Sequence, residues 1–242
     1  MLCTWLAVAS SAASADTIVS ARFTEPTTRY AHGVLGDAVE YGALELSIQI
    51  KPSNKSLQTE GGVNLPVVTI RLPSDRVFED LSPRLADVDH DGFPEVIVVE
   101  SHQQTGAQLA IYNADGNKIA ATPHIGTRFR WLAPVGAADL DGDGHVEIAY
   151  VDRPHLAKTL RIWRFQSNTL TEIAALPDLT NHRIGEDFIS GGLRDCGSGP
   201  ELIVASADWH DIISIRYDQS WVQTRLAAFT PSAMKKAMAC SH

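Results

Sequence analysis

"ADLDGDGHVEIAYVD", Ala138 to Asp152, sets Asp139, Asp141, Asp143 and Glu147 within nine residues and runs directly into an apolar segment. "ADVDHDGFPEVIVVE", Ala86 to Glu100, repeats the arrangement with Asp87, Asp89, Asp91 and Glu95. A polar turn rich in Asp and Gly explains one Asp-Gly pair. It does not explain three alternating acids and a fourth, twice, in front of the same kind of strand. Calcium does, because it takes six to eight oxygens from carboxylates, backbone carbonyls and water in flexible geometry. Asp139, Asp141 and Asp143 are the expected inward-pointing acids, with Gly144 allowing the tight turn. The carbonyl of His145 adds an oxygen and Glu147 closes the shell. The same reading upstream gives Asp87, Asp89, Asp91, the carbonyl of Phe93, and Glu95. The closing acid stands at position nine and opens a strand, unlike an EF-hand, where it stands at position 12 on a helix. Magnesium prefers to keep its waters, and zinc calls for His or Cys.

The two loops belong to a longer period. Glu95, Glu147 and Glu201 open "EVIVVE", "EIAYVD" and "ELIVAS" at intervals of 52 and 54 residues, and Glu40 stands 55 residues before Glu95 in a weaker copy. After each glutamate come two alternating segments around a short polar centre, as in "AQLAIYNADGNKIAATP", the pattern of a β-hairpin. Before each comes a short segment, "SPRLADV", "APVGAADL" or "FISGGLRD". Gly136 and Gly191-Gly192 in these segments mark close backbone approach. About four strands per repeat, without a long helical period, predicts an all-β small β-propeller of about four four-stranded blades. The units run over about 24–75, 76–125, 126–179 and 180–229, within one domain over 16–242 that ends in a tail, 230–242. Asp16–Phe23 is expected to pair beside "WVQTRLAAF" and close the ring. An open stack of sheets, or a half-ring completed by a second chain, is the alternative. The third loop reads Leu193, Asp195, Gly197, Glu201, and is expected to have lost its metal.

The chain of 242 residues carries a formal charge of −9, which two divalent cations would bring to −5. Nucleic acid and anionic membrane surfaces reward clustered Lys and Arg, so neither is expected as a partner. Residues 1–15 are uncharged, apolar or small, and end in Ala13-Ser14-Ala15, the pattern of a cleaved secretory signal without a basic start. The expected location is therefore periplasmic or secreted, with no membrane span after cleavage. Cleavage removes Cys3 and leaves Cys196 and Cys240, which in an exported chain points to one disulfide tying the tail to the body. Such a bridge closes a loop of roughly 45 residues, for which the chain-entropy relation gives about 4 kcal/mol. Two unrelated thiols are the alternative that spacing leaves open.

At these residues the chain resembles the FG-GAP and VCBS repeat families. "APVGAADLDGDGHVEIAYVD" and "RLADVDHDGFPEVIVVE" are similar to their motif, and "GGLRDCGSGPELIVAS" to a decayed copy. The resemblance implies β-propeller blades, as in the head of integrin α chains, with structural calcium at Asp87–Glu95 and Asp139–Glu147. The whole chain also looks like small exported VCBS-repeat proteins of alphaproteobacteria. Repeat motifs imply architecture and say little of activity.

Polar and aromatic clusters precede the inner strands: Arg29, Tyr30 and His32; Glu79 and Asp80; Arg128, Arg130 and Trp131; His182, Arg183, Glu186 and Asp187. On blades these segments reach one face, which is where repeat scaffolds build binding surfaces. His32, Arg130, Trp131, His182 and Arg183 are the candidate ligand contacts. Arg with Trp suits a saccharide or an anionic ligand, and inter-blade packing is the competing explanation. The expected role is a non-catalytic binding or protein-interaction module. The alternative is a lyase or hydrolase with His32 or His182 as base and Arg183 or Arg130 stabilising an oxyanion.

Overall fold

The computed structural model describes residues 16–50 and 65–241. The expected signal, 1–15, and the polar insertion Pro52–Asn64 lie outside the described residues. The first repeat unit holds β1 (Thr17–Thr27), β2 (Glu40–Gln49) and β3 (Val67–Arg71). The second holds β4 (Arg76–Phe78), β5 (Arg84–Ala86), β6 (Glu95–His102), β7 (Gly106–Tyr112) and β8 (Lys118–Ala121). The third holds β9 (Leu132–Ala138), β10 (Val146–Asp152), β11 (Thr159–Gln166) and β12 (Thr169–Leu176). The fourth holds β13 (Leu179–Thr180), β14 (Gly192–Asp195), β15 (Pro200–Ser206), β16 (Asp211–Tyr217) and β17 (Trp221–Ala228), followed by α1 (Pro231–Met238). Every strand pairing is antiparallel, as the short hairpin turns require. No helix among the described residues is long and apolar enough to cross a membrane.

The segments led by Glu95, Glu147 and Glu201 are apolar throughout because each is covered on both faces. Side chains alternate along a strand. Val96 and Val98 of β6 therefore pack towards Leu44, Leu46 and Ile48 of the first unit, while Ile97 and Val99 pack towards Ile148 and Tyr150 of the third. The next residues of β10, Ala149 and Val151, join Leu202 and Val204 of the fourth unit. Ile203, between those two, turns the other way and meets Met234 and Ala237 of α1. The units thus stack in chain order, with the helix over the last.

Two expectations are corrected. The segment Asp16–Phe23 does not close a ring against β17: β1 pairs with β2 from Thr17 opposite Gln49 to Thr27 opposite Glu40, and β17 pairs with β16 at the sheet edge. Forming a hairpin across residues 28–39 costs less chain entropy than reaching the far end of the chain, and α1 supplies the cover that the fourth unit needs. Second, the sheets are not four separate four-stranded ones. The first two units merge into one eight-stranded sheet through the pair Tyr41–Phe78, and the first unit contributes three described strands. The tail contains a helix, capped by Thr230, whose hydroxyl accepts from the Ala233 amide at 3.0 Å, with Pro231 in its first turn. Cys196 and Cys240 form a disulfide, with Cα atoms 5.6 Å apart, that fastens the helix end to the fourth unit.

The inner strand is interrupted in two units. In the second it breaks between β4 and β5, in the fourth between β13 and β14, and both halves pair with the same neighbour. The interruptions, 79–83 and 181–191, carry polar residues to the face described below. In the third unit β9 runs through with a bulge opposite Ala149 and Tyr150. Gly136 lies on β9 where a Cβ would stand 2.5 Å from the Cβ of Leu193 on β14. The absent side chain sets the spacing of the third and fourth units. Gly136→Ala is expected to cost about 1–3 kcal/mol through overpacking, several degrees in a thermal melt of the full chain. A variant melting with its parent would show that β9 and β14 can move apart freely.

Candidate functional site

The two acidic loops adopt the same fold. In the first, the Asp87 carboxylate accepts from the amides of Asp91 and Gly92 at 3.1 and 3.0 Å, and Glu95 accepts from Val88 at 3.0 Å. In the second, Asp139 accepts from Gly142 and Gly144 at 2.7 and 3.0 Å, and Glu147 from Leu140 at 2.9 Å. Gly144 has φ of +88°, the left-handed region that glycine adopts without strain. These bonds gather one oxygen each from Asp87, Asp89 and Glu95, and from Asp139, Asp141 and Glu147, to within 4.8 Å of one another. An all-oxygen set with a buried glutamate fits a hard divalent cation. Asp91 and Asp143 stand outside these triads: each caps its own turn, accepting from Phe93 at 2.8 Å and from His145 at 2.9 Å.

The loops differ in what neutralises them. Strand pairing sets Arg164 of β11 opposite Glu147. Its guanidinium bonds Glu147 at 2.8 Å, Asp143 at 2.9 Å, and Asp141. Among the described residues the first loop has no such cation: β6 and β7 pair Val96 with Tyr112, and the next residue along is Asn113. Burial there pushes Glu95 up to about 7, with Asp89 and Asp91 adding to the effect. In the third loop Arg194 grips Glu201 through Nε and Nη2, both at 2.8 Å, Ser214 donates to it as well, and the disulfide starts one residue beyond Asp195. Among the described residues a guanidinium thus pairs the acids of the second and third loops, and the third loop keeps two acids where the first two keep four.

The second cluster lies where the interrupted strands and loops gather. His32 Nδ1 is 2.5 Å from Oε1 of the fully buried Glu79, whose other oxygen accepts from Ser101 Oγ. Burial pushes the Glu79 carboxyl above its usual range, against the opposing pull of His32 and Ser101. Trp131 Nε1 donates to the Glu79 carbonyl at 2.8 Å, and the His32 ring stacks on Phe129 at 4.9 Å. His155 Nε2 is 3.1 Å from His182 Nδ1, and His182 Nε2 donates to the Glu186 carbonyl at 2.9 Å. A carbonyl can only accept, so His182 carries its proton on Nε2, and His155 donates from Nε2 to its Nδ1. Burial, then His182, pushes His155 down to about 4, which keeps it neutral near pH 7.

Of the five sequence-derived contacts, His32, Arg130 and Trp131 line one cavity of about 250 Å³. His182 sits behind it, against Trp131 at 5.0 Å and bonded to His155. Arg183 is elsewhere, 3.9 Å over the Trp209 ring and paired with Glu186 at 3.5 Å. Phe129, Arg153, His155 and Leu156 also line the cavity. The last three lie on the loop between β10 and β11, whereas the sequence reading followed only segments before inner strands. "DRPHLA", breaking off an apolar strand, was the available signal.

Residues 79–150, which include both acidic loops, match the FG-GAP-like repeat family. No curated protein matches the chain.

Beside the cavity, Glu40 is buried at the head of β2, and burial first, then Glu79, Asp37 and Asp80, pushes it up from 4.5 to about 9. Between those values the folded chain holds a proton that the unfolded chain has lost. The stabilisation is full below about 4.5 and disappears as pH rises towards about 9. Glu40→Gln is expected to melt higher than the parent at pH 8 and to flatten the fall in Tm between pH 5 and pH 8. Parallel pH curves for the two proteins would remove Glu40 as the group responsible.

Proposed function

Starting from the FG-GAP-like repeat at residues 79–150, we propose that this chain is a calcium-stabilised, exported binding module, four propeller-like blades in an open stack. Its recognition face is the one that gathers His32, Arg130 and Trp131. The observation that carries the calcium reading is the pair of three-oxygen clusters at equivalent places, each ending in a glutamate at the head of a central strand. Asp87, Asp89 and Glu95 would hold one ion and Asp139, Asp141 and Glu147 a second, with the carbonyls of Phe93 and His145 as the expected further donors. The ion would serve as a fastener: it offsets the repulsion among the acids and couples the turn to the strand behind it. Arg164 already does part of this in the second loop, so the two sites should differ in their dependence on calcium.

One observation favours an enzyme as the second reading. The His32–Glu79–Ser101 chain orients an imidazole towards a cavity, as a general base requires. Such a base would also need a substrate or water proton within hydrogen-bond reach of that imidazole.

Calcium at 100 times its Kd should stabilise the folded chain by about 2.7 kcal/mol, so that chelation lowers Tm by roughly 5–10 °C. Asp87→Ala and Asp141→Ala should each reproduce part of that loss in calcium and respond less to chelator. Arg164→Gln should lose more stability in chelator than in calcium, because the ion can replace the lost guanidinium. A melt indifferent to chelator would remove the calcium assignment. An equal loss for Arg164→Gln in both buffers would separate Arg164 from the ion.

A further inference from the structure

The cavity contains a charge that the described residues leave uncompensated. Arg153 is held by Asp152 through two bonds, at 2.7 and 2.9 Å, and His32 is matched by Glu79. His155 is neutral, its Nε2 proton committed to His182. Arg130 is half-buried, and among the described residues its guanidinium makes no hydrogen bond or ion pair. A partly desolvated guanidinium without a partner is costly unless something else pairs with it. The surroundings are apolar: Trp131 and Phe129 form walls, and Leu156 and Ile184 stand 61% and 72% exposed at the rim. Exposed aliphatic side chains beside an unpaired cation describe a ligand with one anionic end and an apolar body.

We propose that this cavity binds a small organic monocarboxylate, with Arg130 pairing to the carboxylate and Phe129, Trp131, Leu156 and Ile184 covering an aromatic or branched apolar body. Among the described residues lining the cavity, Arg130 is the one guanidinium without an ion pair, and this sets the ligand charge at one. Its planar fork matches a carboxylate through two parallel hydrogen bonds, which a point charge cannot do. At about 250 Å³ the cavity falls just below the usual range for ligand pockets, roughly 300–1,000 Å³, so the body is of single-ring size. The inference names the ligand class for the recognition face proposed above and rests on that reading. It does not depend on the calcium loops.

The test is calorimetric titration of the full chain, kept in calcium, with benzoate and cyclohexanecarboxylate. Benzamide serves as the uncharged control and inorganic phosphate as the anion without an apolar body. Saturable binding of both acids is expected, with benzamide and phosphate at least tenfold weaker. Arg130→Met should lose at least tenfold in affinity for benzoate. Arg130→Lys, which keeps the charge and loses the fork, should fall between them and provides the comparison should Arg130→Met fail to fold. Failure of both acids to bind, equal binding of benzamide or phosphate, or unchanged affinity in the Arg130 variants would overturn the proposal. A calcium-dependent melt on the same sample keeps the readings apart. Lost carboxylate binding with an intact calcium response sinks the ligand class alone, and an absent calcium response with intact carboxylate binding sinks the calcium fastener alone. Consumption of the acids during titration would show the face to be catalytic and overturn the binding-module reading.

Discussion

A carboxylate at the head of a strand that is covered on both faces has to be neutralised where it stands. That requirement organises the molecule. Glu95, Glu147 and Glu201 open the central strands of three successive units, each buried, and each accepts a short-range partner from the loop or strand beside it. Desolvation penalises the charged form. In the fourth unit the guanidinium of Arg194 answers the penalty, in the third Arg164 answers much of it, and in the second the described side chains supply no cation. The same structural problem thus has three graded solutions in one chain. The third loop, with two acids left, relies on Arg194, whereas the first two keep the same four acids and differ in Arg164, which is what would result if guanidinium and metal ion were alternative sources of the same positive charge.

The two-faced burial behind those glutamates explains the stacking. Because odd and even residues of β6, β10 and β15 each need cover, the second, third and fourth units must have a neighbour on both sides. Inner units obtain it from one another, and the fourth obtains it from α1, which the disulfide holds in place. The first unit turns a polar outer surface to solvent, where Arg22 pairs with Glu45 on β1 and β2. Stacking also brings the loops between strands to one face. Glu79 there is bonded to His32 and His155 to His182, so that among the described residues Arg130 has no counter-charge.

Much of this was legible in the sequence. The acidic spacing located both oxygen clusters, the period of the glutamates located the central strands, and Gly136 was identified correctly as a point of close approach. Cys196 and Cys240, expected to pair from their even count in an exported chain, do form a disulfide. The expected pairing of Asp16–Phe23 with the last strand misled because partners for a terminal strand are set by what lies beside it in space, and local alternation does not encode that. The helix escaped notice because eight residues give only about two turns of periodicity. Arg164 and Arg194 went unrecognised for a related reason: their importance comes from register across a hairpin and pairing within an inner strand. His155 is the same kind of case, since it joins the cavity through a loop that no repeat motif marks.

The most direct measurement is a calorimetric calcium titration of the chain, with the bound ions counted. The account requires two sites of unequal strength, the stronger abolished by Glu95→Gln and the weaker tightened by Arg164→Gln. Binding of no calcium, or of two ions with identical affinity that neither substitution disturbs, would contradict it.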